Sequence, residues 1–213
     1  GNVEMAFQQY MVAARDYGHP EAQFEVARCY QNGTGVEKNE ENALVWYRKS
    51  AEQGYAMAQC DLGYCYYCGE GVKKDFGKAA EWYRKSAEQG NATAQRNLAI
   101  FYKNGYGVTQ NKEEAVKWYK KAAEQGDTDA QNSLGYCYEN GEGVEKNSAK
   151  AVEWYRKSAE NGNALAQYNL GVCYEYGTGV TLSRATAAEW YRKAADQGDA
   201  DAQYKLGMFY ENG

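Results

Sequence analysis

Apolar and polar positions along this chain follow one pattern that returns every 36 residues. In the stretch from 91 to 126, Ala94, Leu98, Phe101 and Tyr102 fall at i, i+4, i+7 and i+8. That is one apolar stripe at helical period, and it predicts a helix over Ala92 to Lys103. A second stripe, Ala115, Trp118, Tyr119, Ala122 and Ala123, predicts a second helix. We call these helix A and helix B of a repeat. Asn91 and Asn111 precede them as N-caps, and Asn111 with Glu114 approximates a capping box. Gly105 is placed to end helix A in the left-handed conformation. Gly107 turns the chain again and Val108 returns an apolar side chain to the core. Gly126 stops helix B.

The same sentence is written six times. Gln23, Gln59, Gln95, Gln131, Gln167 and Gln203 each follow an alanine, 36 residues apart. Gly-x-Gly-Val recurs from Gly33, Gly69, Gly105, Gly141 and Gly177, and Trp-Tyr from Trp46, Trp82, Trp118, Trp154 and Trp190. Such a period is the mark of a solenoid. One hairpin cannot bury its own apolar stripe and must lean on the next. The prediction is an all-α solenoid of 36-residue helical hairpins, about twelve helices, with no break in the period across 1–213. Small residues at one phase of helix A (Ala27, Gly63, Ala99, Gly135, Gly171, Gly207) are expected to admit a second backbone. Glu81–Lys85, Glu153–Lys157 and Glu189–Lys193 read as solvated i, i+4 pairs on the outer face of helix B. The first helix departs: Ala6, Tyr10 and Ala14 match Ala43, Tyr47 and Ala51 at a step of 37, so Tyr17 is an extra residue and the helix end there should be distorted.

Composition narrows the function classes. A net charge of −5 disfavours nucleic acid as a partner. No apolar run is long enough to cross a membrane, and no signal peptide is visible. Cys29, Cys65, Cys137 and Cys173 share a phase that holds Phe101 and Phe209 in other copies, so they read as small core residues. Cys60 and Cys68 lie off that phase; Cys65 and Cys68 have Cys-x-x-Cys spacing but on a helix, which argues against a redox or metal site. Free core thiols lean toward a reducing, cytoplasmic compartment. The lone His19 allows no Ser-His-Asp set, and no phosphate-binding glycine loop is present, so no catalytic residue, metal or cofactor is expected.

The string Ala130-Gln131-x-x-Leu134-Gly135-x-x-Tyr138, Gly141-x-Gly143-Val144, Ala151-x-x-Trp154-Tyr155-x-Lys157-x-Ala159-x-x-Gly162 resembles the Sel1-like repeat. The resemblance recurs in every unit. Tetratricopeptide repeats are the nearest rival but run shorter and lack the Gly-x-Gly-Val connector. The resemblance implies a right-handed α-α superhelix that acts as a protein-interaction scaffold or adaptor. A disulfide-stapled branch of the family would carry paired cysteines in every unit, which this chain does not. Because the chain begins partway through a repeat and ends at Gly213, in the phase of Gly33, it reads as part of a longer array. Leu206 and Phe209 should then be half covered, with frayed ends or end-to-end self-association.

A partner surface is expected at phases that vary between units yet keep large side chains. Three rows on helix A, away from helix B, meet this description. One is Phe24, Cys60, Arg96, Asn132, Tyr168 and Tyr204. A second is Arg28, Tyr64, Ile100, Tyr136, Val172 and Met208. A third is Gln31, Tyr67, Lys103, Glu139, Glu175 and Glu211. By similarity to related helical-repeat superhelices these rows line the concave face, and Tyr, Arg, Met and Phe are common at interfaces. The expected occupant is an extended segment or helix of another protein, its acidic part toward Arg28, Arg96 and Lys103. A structural spacer, or a receptor for a glycan or small ligand stacking on tyrosines, are the alternatives.

Overall fold

A computed structural model describes residues 1–211. These residues form twelve helices and no strand. The chain is divided into two compact units, Gly1–Gln110 and Asn111–Gly213. The first holds α1 (Asn2–Asp16), α2 (Pro20–Asn32), α3 (Glu40–Glu52), α4 (Ala56–Cys68), α5 (Phe76–Glu88) and α6 (Ala92–Asn104). The second holds α7 (Lys112–Glu124), α8 (Thr128–Asn140), α9 (Ser148–Glu160), α10 (Ala164–Tyr176), α11 (Arg184–Asp196) and α12 (Ala200–Glu211). Even-numbered helices are helix A of a repeat and odd-numbered ones helix B. Within each unit every helix packs on its neighbours in sequence.

Helix starts follow the caps. Asn91, Asp127, Asn163 and Asp199 accept the backbone N–H three residues on, and so do Asn39, Asp75, Asn111, Asn147 and Ser183 ahead of helix B. The capping box is only half made. Glu114 N–H bonds Asn111 at 2.9 Å, while the Glu114 carboxylate turns to Lys117 at 2.8 Å. At four other copies the N-cap N–H already donates to a helix A tyrosine carbonyl, as Asp75 does to Tyr66 at 2.9 Å. That bond takes up the donor a capping-box glutamate would need. The extra residue at the end of α1 is also visible. His19 N–H closes on Ala13 across six residues, where Tyr55 and Asn91 close across five on Ser50 and Ser86. Gly213 lies outside the described residues; Leu206 and Phe209 are half-buried.

The second glycine of each Gly-x-Gly connector does more than turn the chain. Gly71 has φ +65°, and a Cβ there would strike the Glu40 carbonyl at the start of α3. Gly143 stands in the same relation to Lys112 of α7, and Gly179 to Ser148 of α9. The connector after one helix A thus rests backbone-to-backbone on the preceding helix B, a junction only glycine allows.

The small-residue phase plays a different part from the one its size suggests. Nearest to Gly63, Gly135 and Gly171 are the rings of Tyr83, Tyr155 and Tyr191 from the following helix B, which the missing side chain admits. Those rings are fully buried, as are Leu62, Leu98, Leu134 and Leu170. The outer-face lysines differ as well. Lys85, Lys157 and Lys193 lie over the rings of Trp82, Trp154 and Trp190 at 4.0, 4.2 and 3.9 Å. A cation over a tryptophan face is worth at least as much as the expected exposed ion pair.

Candidate interaction surface

The recurring glutamine holds each A layer to the B layer before it. Gln59 Nε2 donates to the Ala51 carbonyl at 3.1 Å, Gln95 to Ala87 at 3.1 Å and Gln167 to Ala159 at 3.0 Å. Its own carbonyl accepts from a glutamine beyond the next helix B: Gln53 on Gln23, Gln89 on Gln59 and Gln197 on Gln167, at 2.7–2.8 Å. Ser50, Ser86 and Ser158 bond the first carbonyl of the helix A before them at 2.6–2.7 Å. Arg48, Arg84, Arg156 and Arg192 reach the hydroxyls of Tyr66, Tyr102, Tyr174 and Tyr210 at 2.7–3.0 Å. With this many positions fixed by packing, the free face of helix A is narrow.

The first row is largely closed. Phe24 is 3% exposed, set between the rings of Tyr47 and Tyr55 at 5.8 and 5.3 Å, so it cannot line a partner surface. Its phase points along the array toward the next helix A, which covers it. Cys60 and Asn132 are buried for the same reason, and Asn132 accepts a hydrogen bond from Asn169 at 2.9 Å. Arg96 and Tyr168 are half-buried and Tyr204 is exposed.

The third row is mostly spent on the fold. Glu139 accepts from the Tyr155 hydroxyl at 2.7 Å, and Glu175 accepts from Tyr191 and from Lys205 at 2.9 Å. Burial pushes the Glu175 carboxyl upward, but these donors outweigh it and hold it below the ordinary carboxylate value. Gln31 takes the Tyr47 proton at 2.6 Å and bonds Glu70 at 3.0 Å. Tyr67 packs on Phe76 and Phe101. Lys103 is half-buried and not free.

The second row remains open. Tyr64 is 43% exposed, Tyr136 42% and Met208 40%. Arg28 is exposed too, and Ile100 and Val172 are half-buried. In the first unit Arg28, Tyr64 and Ile100 stand on α2, α4 and α6; in the second Tyr136, Val172 and Met208 stand on α8, α10 and α12. Arg28 is bonded to Glu25 at 3.3 Å, and Arg96 is not free either, so the positive charge expected of the first half is partly neutralised. Bonding with Cys68 raises the Tyr64 hydroxyl to about 12. Burial raises the thiols of Cys60, Cys65 and Cys173 to about 12, which suits inert core residues.

Sequence reasoning missed two features of this face. Asp61, one turn before Tyr64, is a half-buried carboxylate pushed up to about 6 by burial. Its phase otherwise reads Glu25, Asn97, Ser133, Asn169 and Lys205, so the pattern gave little sign of it. Tyr176, 62% exposed, stands beside Lys205 at 3.3 Å and continues the aromatic face of α10. Among the described residues no helix is long and apolar enough to cross a membrane.

Comparison with known proteins places this geometry. The chain is similar to a protective antigen present in uropathogenic Escherichia coli strains, solved with an SLR fold. The two share 39% identity over 95% of this chain and 43% of that one, with a TM-score of 0.91. A Sel1 repeat protein from Oxalobacter formigenes shares 40% identity over 90% of this chain and 76% of that one, at a TM-score of 0.85. An immunity protein from Pseudomonas aeruginosa shares 27% over 92% and 74%, at 0.56. This chain therefore spans less than half the length of the first of these structures. No curated protein matches it. The Sel1 repeat itself matches residues 20–55, 56–91, 92–127, 128–163, 164–199 and 200–213 in unbroken succession, and the chain belongs to the Sel1 repeat family.

Proposed function

We propose that this chain is an interaction scaffold that holds an extended segment or short helix of another protein on the free face of its A helices. Sel1 repeat proteins are generally protein-interaction scaffolds, and the family is generally non-enzymatic. One observation supports the particular surface. Tyr64, Tyr136 and Met208 of the second row stay 40–43% exposed, while Phe24, Cys60 and Asn132 of the first row are buried and Gln31, Glu139 and Glu175 of the third are bonded within the fold. Tyr64 and Tyr136 are the anchors, because a tyrosine offers much contact area for little conformational entropy. Arg28 and Ile100 flank the first, and Val172 and Met208 the second. Tyr168 and Tyr204 widen the second unit's surface, which Glu139 edges, while Tyr67, Arg96 and Lys103 edge the surface of the first unit.

The test is affinity capture of protein partners with the wild-type chain and with Tyr64→Ala/Tyr136→Ala, circular dichroism being used to confirm that the fold is kept. Capture should fall at least about tenfold in the variant, the loss expected of two interface anchors. Unchanged capture by a folded variant would remove this surface from consideration.

A further inference from the structure

Asp61 stands on α4, on the same side as the exposed Tyr64 and next to the buried Cys60. The cation that acts on it is Arg28 of α2, whose guanidinium is already bonded to Glu25 at 3.3 and 3.4 Å and lies 5.7 Å from the Phe24 ring centre. The Tyr47 hydroxyl of α3 also faces Asp61, but its proton goes to Gln31 at 2.6 Å. Cys60 and Cys65 on α4 and Tyr83 on α5 face it as neutral groups, and Arg96 of α6 faces Cys60. Among the described residues Asp61 makes no ion pair. Burial therefore prevails over Arg28 and Tyr47, and the carboxyl rises from 3.8 to about 6.

Half-buried on α4 and without an ion pair among the described residues, the Asp61 carboxylate is poorly solvated and incompletely compensated. A cation brought by another molecule would restore what burial removed, and would gain more there than on an open surface. Tyr64 lies beside it with its ring partly exposed, a face on which the stem or head of a long cationic side chain can rest.

We propose that Asp61 anchors a lysine or arginine side chain of the partner segment in the first unit, with Tyr64 covering that side chain. This rests on the reading of the A-helix face above. It also reverses the polarity suggested by Arg28 and Arg96, since the first unit takes a basic residue at its centre.

The test is selection of short random peptides, displayed on phage, against the full chain. Selected peptides should carry a lysine or arginine. Replacing that residue by norleucine should weaken binding roughly tenfold or more to the wild type, but less than about twofold to Asp61→Asn. Binding to the wild type should strengthen as pH rises through about 6, where Asp61 becomes charged, and stay level in Asp61→Asn. If binding depends on Tyr64 but the norleucine loss is equal in both proteins, the anchor is overturned and the face stands. If no selected peptide responds to Tyr64→Ala or Tyr136→Ala, the face is overturned and the anchor with it.

Discussion

Asn161 stops one methylene short of Gln131. At the equivalent places Gln53, Gln89 and Gln197 reach the side-chain carbonyl of Gln23, Gln59 and Gln167 at 2.7–2.8 Å. Asn161 instead folds back onto the Lys157 carbonyl at 2.8 Å, and Gln131 Oε1 is left buried without a partner. An unmet buried acceptor costs about 1–3 kcal/mol. Asn161→Gln should therefore stabilise the protein, by about 1 kcal/mol. Thermal melts of the two proteins would check this, and the reverse change, Gln89→Asn, should lower the melting temperature.

A connector glycine and the glycine that ends a helix B separate two sources of strain. Gly143 and Gly162 both hold positive φ, +68° and +89°. A Cβ on Gly162 would meet nothing within 4 Å, whereas one on Gly143 would enter the Lys112 backbone. Gly162→Ala should cost about 1–2 kcal/mol for the left-handed backbone alone. Gly143→Ala should cost distinctly more, and denaturant unfolding of the two variants would show the gap.

The elements were legible because each repeat states its own helices. Caps, apolar stripes and turn glycines are local, and they put α6 within a residue of the predicted Ala92–Lys103 and start α7 directly after the Asn111 cap. The extra Tyr17 showed for the same reason, as a shift in spacing. What the pattern hid were contacts made between layers. Phe24 resembled a variable surface residue because its cover is tertiary: the rings of Tyr47 on α3 and Tyr55 at the start of α4 close over it. The recurring Ala-Gln pair announced the period, but its role depends on Gln53 and Ala51, which are brought to it only by stacking. Charge partners were misassigned on similar grounds: Lys85 has Glu81 one turn away in sequence, and the Trp82 ring proves the better neighbour in space.

Burial depth sets the packing energy. Leu134 is fully buried between α8 and its neighbours, while Leu206 on α12 is half-buried. Leu134→Ala should lose about 2–5 kcal/mol, and Leu206→Ala clearly less. Equal losses in urea unfolding would contradict a stack whose stability comes from successive interfaces.

Asp61 gives a pH dependence of definite sign. Its folded value, about 6, lies above the ordinary 3.8, so the folded protein holds the proton more tightly than the unfolded chain. Its destabilising effect is absent below the lower value, grows as pH rises, and is complete above the higher one. Asp61→Asn should leave stability unchanged in acid and raise it at neutral pH, by on the order of 1–3 kcal/mol after allowance for partial exposure. Unfolding free energies of both proteins across that range would check the crossing.

The most direct measurement of the central claim is photo-crosslinking in the native cell, with benzoyl-phenylalanine placed at Tyr64 or Tyr136 on the A-helix face, or at Glu81 or Glu153 on the outer face of helix B. Adducts to another protein at Tyr64 and Tyr136, with none at Glu81 and Glu153, are the result predicted. Adducts confined to Glu81 and Glu153 would show that the partner sits on the opposite side and would contradict the account.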